Sequence, residues 1–318
     1  MVISRILQKT GFYFLIILVL LFTLFPFVQM LSTSLKHQYD WGNPSLIPQK
    51  LNWSSYSELL GFQKKEVKVP ESIHRLLNNP KLSAEKRQKI LDRFTSTSDV
   101  FPFINYFINT LLIAGTAAAI SLLFAVFGAY SFSRVRYRGR SGIQRGVLLT
   151  YMFGGVLLMV PLYQISVHVG LANTAIGSIL TLVVIYVVQT LPVSLYMLGN
   201  YFRSIPESLE EAAQIDGCSR LKTIMLIIVP LSMPMLVTVY IYAFMIAWNE
   251  YLFASVFLKN FNEFYTLPIG LKSLFVSKNA IWDRIMAASI LTALPVVFVF
   301  MTFEKHLIGG LTEGGVKE

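Results

Sequence analysis

The sequence predicts an all-α integral membrane protein with six transmembrane helices and both termini in the cytoplasm. Three observations predict it. Mean hydropathy is +0.59. Only 14% of the 318 residues are charged, where a soluble domain carries roughly a quarter. The apolar residues gather in runs free of Lys, Arg, Asp and Glu, each long enough to cross a bilayer in about 20 residues.

The first run lies between Lys9 and Lys36. It is too long, and lacks the small-residue site, for a cleaved signal peptide. The second lies between Asp99 and Arg134. The third, Gly146 to Phe202, is long enough for two helices, with "GLANTAIG" as the turn. The next lies between Lys222 and Glu250, and the last between Arg284 and Glu304. The loop "RVRYRGRSGIQR" carries Arg134, Arg136, Arg138, Arg140 and Arg145 and no acid, and the N-terminus adds Arg5 and Lys9. Basic short loops stay inside, which sets the orientation. Residues 33–102 hold eleven Lys and Arg and fall outside by parity. Long loops translocate regardless of charge, so the topology stands. Within them "SAEKRQKILDRF" predicts a short amphipathic helix capped by Ser83, either a solvated surface or a docking face. The organisation is therefore 1–32, a tail and first span; 33–102, an extracytoplasmic segment; and 103–318, a transmembrane core.

The net charge of +10 fits cytoplasmic loops facing anionic lipid, and no nucleic-acid module stands out. Cys218 is the single cysteine, so there is no intrachain disulfide. No G-x-x-x-x-G-K-[ST] is present, so the chain lacks a P-loop of its own. The histidines His37, His74, His168 and His306 are scattered, and no H-E-x-x-H occurs. No catalytic, metal or cofactor site is expected. Nor does an ionisable residue sit mid-span, as a proton-driven carrier would need.

Between two apolar runs lies "RSIPESLEEAAQIDGCSRLKTIMLIIVPLSMP". Ser204 and Glu207 have capping-box spacing. Glu207, Glu210 and Glu211 suit the positive end of a helix dipole. Leu209, Ala212, Ala213 and Asp216 fall on one stripe. Gly217 suits the C′ position, where φ is positive, and the next helix starts at Ser219. A helix over about 204–217 thus projects on the cytoplasmic side. A well-capped interhelical loop describes the same residues.

"EAAQIDG", followed by Pro230 and Pro234, resembles the EAA motif of binding-protein-dependent ABC importer permeases. The match falls on Glu211, Ala212, Ala213, Gly217 and Pro230, and Asp216 is similar to the sugar-importer branch. "AWNEYLFASVF", "YTLPIGLKSL", "GGLTEGGVKE" and "INYFINTLLIAGTAA" resemble further segments of the maltose-permease-like, MalG-type carbohydrate branch. The resemblance covers the chain except about Gly61 to Pro102, which looks like an insertion.

The resemblance implies a type I ABC importer permease fold. It also implies a homologous second permease, an ABC ATPase dimer carrying ATP and Mg, an extracytoplasmic solute-binding protein and a sugar substrate. The EAA helix would be the coupling helix that docks on the ATPase. Glu211 would anchor it, Ala212 and Ala213 would supply a close apolar face, Gly217 the turn, and Asp216 a cap or contact. Thr266, Leu267, Pro268 and Gly270 would form a loop facing the binding protein. Trp248, Asn249 and Glu250 would serve an aromatic belt, local hydrogen bonds or substrate contact. The alternatives are an importer of a non-sugar solute, a stand-alone secondary carrier and a membrane enzyme.

Overall fold

The computed structural model describes residues 2–62, 101–152, 155–276 and 282–312. The predicted helix at Ser83 and the tail beyond Thr312 lie outside them. All regular elements among the described residues are helical. In chain order they are α1 (Val2–Ser34), α2 (Ser54–Leu59), α3 (Phe103–Arg134), α4 (Arg140–Met152), α5 (Gly155–His168), α6 (Ala175–Ser204), α7 (Glu207–Ile215), α8 (Arg220–Leu231), α9 (Met233–Trp248), α10 (Leu252–Phe257), α11 (Leu267–Val276) and α12 (Trp282–Thr312).

Four of these are long and apolar enough to cross a membrane, within Gly11–Ser34, Phe103–Arg134, Ala175–Ser204 and Trp282–Thr302. The count reaches six if two bent pairs each make one span. The sequence predicts one span at each place, with Pro161, Pro230 and Pro234 able to kink it, and the structure bends both pairs by more than 40°. Between α8 and α9 the bend is 84°. Its cause is local: Pro230 and Pro234 lack the N–H that an uninterrupted ladder needs, and they bracket the break at Ser232. A π-turn over Ile224–Ile228 precedes it and shifts the hydrogen-bond register ahead of Pro230. The other pair is α4 and α5. Here α4 starts inside the arginine segment that the sequence predicts as loop. The turn predicted from "GLANTAIG" is present: Leu171–Asn173 is a 3₁₀ turn, and the Thr174 side chain caps α6 by accepting from the Gly177 N–H at 3.1 Å.

The chain divides into two compact units. One holds Met1–Ile104 and Gly270–Leu291. Within it the apolar window of α1 has no buried residue, as a helix solvated by lipid would. The rest of this unit buries Leu59, Phe103, Ile285, Ala287 and Ala288 and is also tied by buried polar groups. Asp283, 6% exposed, accepts from Asn52 Nδ2 at 3.2 Å and from Ser55 Oγ at 2.6 Å. Arg284 donates to both oxygens of Glu58 at 2.6–2.7 Å. Lys36, 1% exposed, donates to the Asn43 carbonyl at 2.7 Å. Burying such groups is costly unless each is paired; these contacts pair each group, although both bonds to Asp283 fall on its Oδ2.

The second unit holds Asn105–Ile269 and Thr292–Glu318. Its core packs Ala125, Val126 and Ala129 of α3 against Leu195, Leu198 and Phe202 of α6, Ile228 of α8 and Val239 of α9. Gly128 lies under the Leu195 side chain at the α3–α6 contact. A Cβ there would lie 2.4 Å from Leu195 Cδ2, well inside van der Waals contact. Ser121 and Thr190 share a hydrogen bond of 2.8 Å between the same two helices. Small residues and hydroxyl pairs are how helices associate where lipid removes the hydrophobic drive.

Candidate functional site

Helix α7 follows α6 through Ile205 and Pro206, both extended. The predicted capping box does not form. Ser204 ends α6 and turns its hydroxyl back to the Tyr201 carbonyl at 2.7 Å. Pro206 flanks α7 instead, without a side-chain cap, and its fixed φ near −60° suits a helix entry. Glu207 and Glu210 stand in the first turn, where the dipole favours negative charge.

The C-terminal end is a Schellman turn. Cys218 N–H reaches the Ala213 carbonyl at 2.9 Å, and Gly217 N–H reaches that of Gln214 at 3.0 Å. Gly217 has φ +83°, the left-handed conformation that the motif requires and that glycine adopts without a Cβ penalty. Ser219 then caps α8 by accepting from the Lys222 N–H.

The stripe expected along α7 divides. Ala213 is buried at 5% and faces the chain's own interior. Leu209, Glu211, Ala212, Asp216 and Gly217 are exposed, and Ile215 is 86% exposed. An apolar side chain left that bare at the tip of an acidic helix gives a small mixed surface, apolar and negative.

Glu210, one residue ahead of the motif, is buried at 6%. Its Oε1 lies 2.6 Å from Nε of Arg134, the last residue of α3. Tyr130 donates its hydroxyl to Glu210 Oε2 at 2.9 Å. The same guanidinium donates to the Ile205 carbonyl and to Glu207 at 3.3 Å. Removing one partner of such a buried ion pair costs about 3–5 kcal/mol. Sequence reading places Arg134 in a basic loop and Glu210 at a dipole; their pairing joins residues far apart in the chain, and no local signal announces it.

The other predicted positions resolve differently. Leu267, Pro268 and Gly270 begin helix α11 rather than an open loop. Thr266 and Leu267 are buried, and the Leu267 N–H donates to Thr110 Oγ1 at 2.7 Å. Trp248 is 1% exposed and packs edge-on against Phe107, so it is a core residue and not part of an aromatic belt. Glu250 caps α10, accepting from the N–H groups of Phe253 and Ala254 at 2.8 and 3.0 Å. No cluster suited to a metal ion occurs among the described residues.

Within the second unit, α4, α5, α6, α9 and α10 line a cavity of about 450 Å³. Its walls are apolar, interrupted by Thr150, Tyr151, Gln189 and Tyr242.

The model for the family described as "Binding-protein-dependent transport system inner membrane component" matches residues 85–312. The chain belongs to this family. It is a permease component of a binding-protein-dependent ABC importer, located in the inner membrane. The permease is 39% identical to the inner membrane ABC transporter permease protein YcjP of Escherichia coli K12, over 99% of this chain and 98% of that protein. It is 30% identical to the maltose/maltodextrin transport system permease protein MalG of the same strain, over 98% and 97%. Its fold matches a chain in the crystal structure of a bacterial ABC transporter involved in the import of the acidic polysaccharide alginate. The TM-score is 0.72 at 22% identity, covering 95% of this chain and 97% of that one.

Proposed function

We propose that this permease imports a sugar or oligosaccharide and that α7 is its coupling helix. An extracytoplasmic solute-binding protein delivers the solute. A homologous second permease completes the pathway, and a dimer of separate ABC ATPase subunits binds ATP with Mg. The observation that carries the reading is the rigid α7–Gly217 turn, which leaves Glu211, Ala212 and Asp216 exposed. Glu211 anchors by pairing with a basic groove, Ala212 allows close approach, and Asp216 and Gly217 shape the turn. Ala213, buried, seats the helix on its own chain. The sugar class draws support from the maltose/maltodextrin permease relative and from the Tyr151, Gln189 and Tyr242 lining of the cavity. The helix start at Thr266, Leu267, Pro268 and Gly270 supports the surface that meets the binding protein, holding backbone in place rather than touching the partner.

Coupling of this kind is a shift between two states, with ATP favouring one through differential contacts. Co-purification of the ATPase tests it. Glu211→Lys and Gly217→Asp should abolish ATPase association while membrane insertion survives. Normal association in both variants would refute the docking role. Thermal-shift screening of the cognate binding protein against sugars, amino acids and phosphate tests the solute class; stabilisation by amino acids or phosphate alone would overturn the sugar reading.

A further inference from the structure

The chain neighbours of α7 are α6 and α8, which any movement of the coupling helix reaches through the backbone. Helix α3 has no such link to it. Yet the last turn of α3 meets α7 through Arg134 and Tyr130. The Arg134 and Glu210 side chains are each 8% exposed and stand 2.6 Å apart. Tyr130 Oη donates to the other carboxylate oxygen. The guanidinium donates to two acceptors of the α6–α7 corner, Ile205 O and Glu207, and forms an ion pair with Glu210. Charge pairs at the protein surface are cheap to break and re-form. This one is buried and multiply bonded, and it attaches to the inner face of α7, opposite the exposed Glu211 and Ala212.

We propose that Arg134 is a positioning residue that clamps the coupling helix to the end of α3, so that α3 moves with α7 when the ATPase closes. The proposal rests on the reading of α7 as the coupling helix. Glu210 belongs to the clamp and not to the docking contact, although it stands beside Glu211. The clamp sets which transmembrane helices follow the ATPase: α6 and α8 by chain connection, α3 by this side-chain lock.

The experiment uses the full transporter, with second permease and ATPase subunits, in lipid nanodiscs. A bimane fluorophore on Leu123→Cys, an exposed position of α3, reports its environment in a Cys218→Ser background. MgATP with vanadate is the probe. The parent complex should show a spectral change. Arg134→Gln should retain ATPase co-purification and lose the change by about fivefold or more. Arg134→Lys, which keeps the charge, should restore much of it. A merely structural role would lower the yield of complex and leave the change per complex intact, which would overturn the clamp. So would a silent parent, a full response in Arg134→Gln, or loss of ATPase from an otherwise assembled Arg134→Gln complex. Should Arg134→Gln fail to assemble, Glu210→Gln decides: a lost response supports the clamp and a full one overturns it. The coupling reading is judged apart, by whether Glu211→Lys releases the ATPase.

Discussion

Tyr186 donates its hydroxyl to Glu250 across 2.7 Å, tying the middle of α6 to the carboxylate that caps α10. Tyr186 is 1% exposed, so its hydroxyl has no recourse to water. Glu250→Ala should therefore lose a cap and strand a buried donor, about 2–4 kcal/mol in all. Thermal unfolding in detergent checks it. Tyr186→Phe added to Glu250→Ala should cost less than the two singles summed.

Gly217→Ala should strain the turn after α7, because a Cβ in the left-handed region costs about 1–2 kcal/mol. Asn should be milder. Hydrogen exchange at residues 213–218 reads the effect directly. The Cys218 and Gly217 amides, bonded to Ala213 and Gln214, should lose protection in Gly217→Ala first.

Gly128→Ala should destabilise the second unit by about 1–3 kcal/mol through overpacking, given the 2.4 Å approach to Leu195. Leu195→Ala alone leaves a cavity. The double variant should be more stable than additivity predicts, since each change relieves the other. Additive losses in thermal unfolding would mean the helices separate rather than clash.

Asp283→Ala should cost about 3 kcal/mol or more, since it removes the charged acceptor shared by Asn52 and Ser55. The effect should be local. Limited proteolysis should cut faster within residues 34–62, while the Arg134–Glu210 corner keeps its protection.

Much of this was legible in the residues. The turn at Gly217, the restart of helix at Ser219 and the break at "GLANTAIG" depend on nearest neighbours, and local rules found them. The bends did not show in the same way. An ion-free run states how much apolar chain is available, not whether it stays straight. Pro230 and Pro234 were visible, but a proline pair also fits a mild kink. The box expected at Ser204 failed because α6 continues through that residue, leaving the hydroxyl to bond backward along its own helix. Trp248 beside a polar pair reads as an interfacial ring, a local hydrogen-bonding group or a substrate contact, and its burial against Phe107 makes it a core ring instead. The Arg134–Glu210 pair and the Asp283 knot join positions separated by much of the chain, which periodicity does not reach.

The Asp283 knot has a consequence for how the protein is made. Synthesis runs from the N-terminus, and domains fold as their residues emerge. Asn52, Ser55 and Glu58 are translated early, whereas their partners Asp283 and Arg284 arrive near the end. Until then the early segment carries polar groups with no permanent mate. A chain truncated before residue 283 lacks these partners, and its residues 34–62 should be cut faster by protease than those of the full chain.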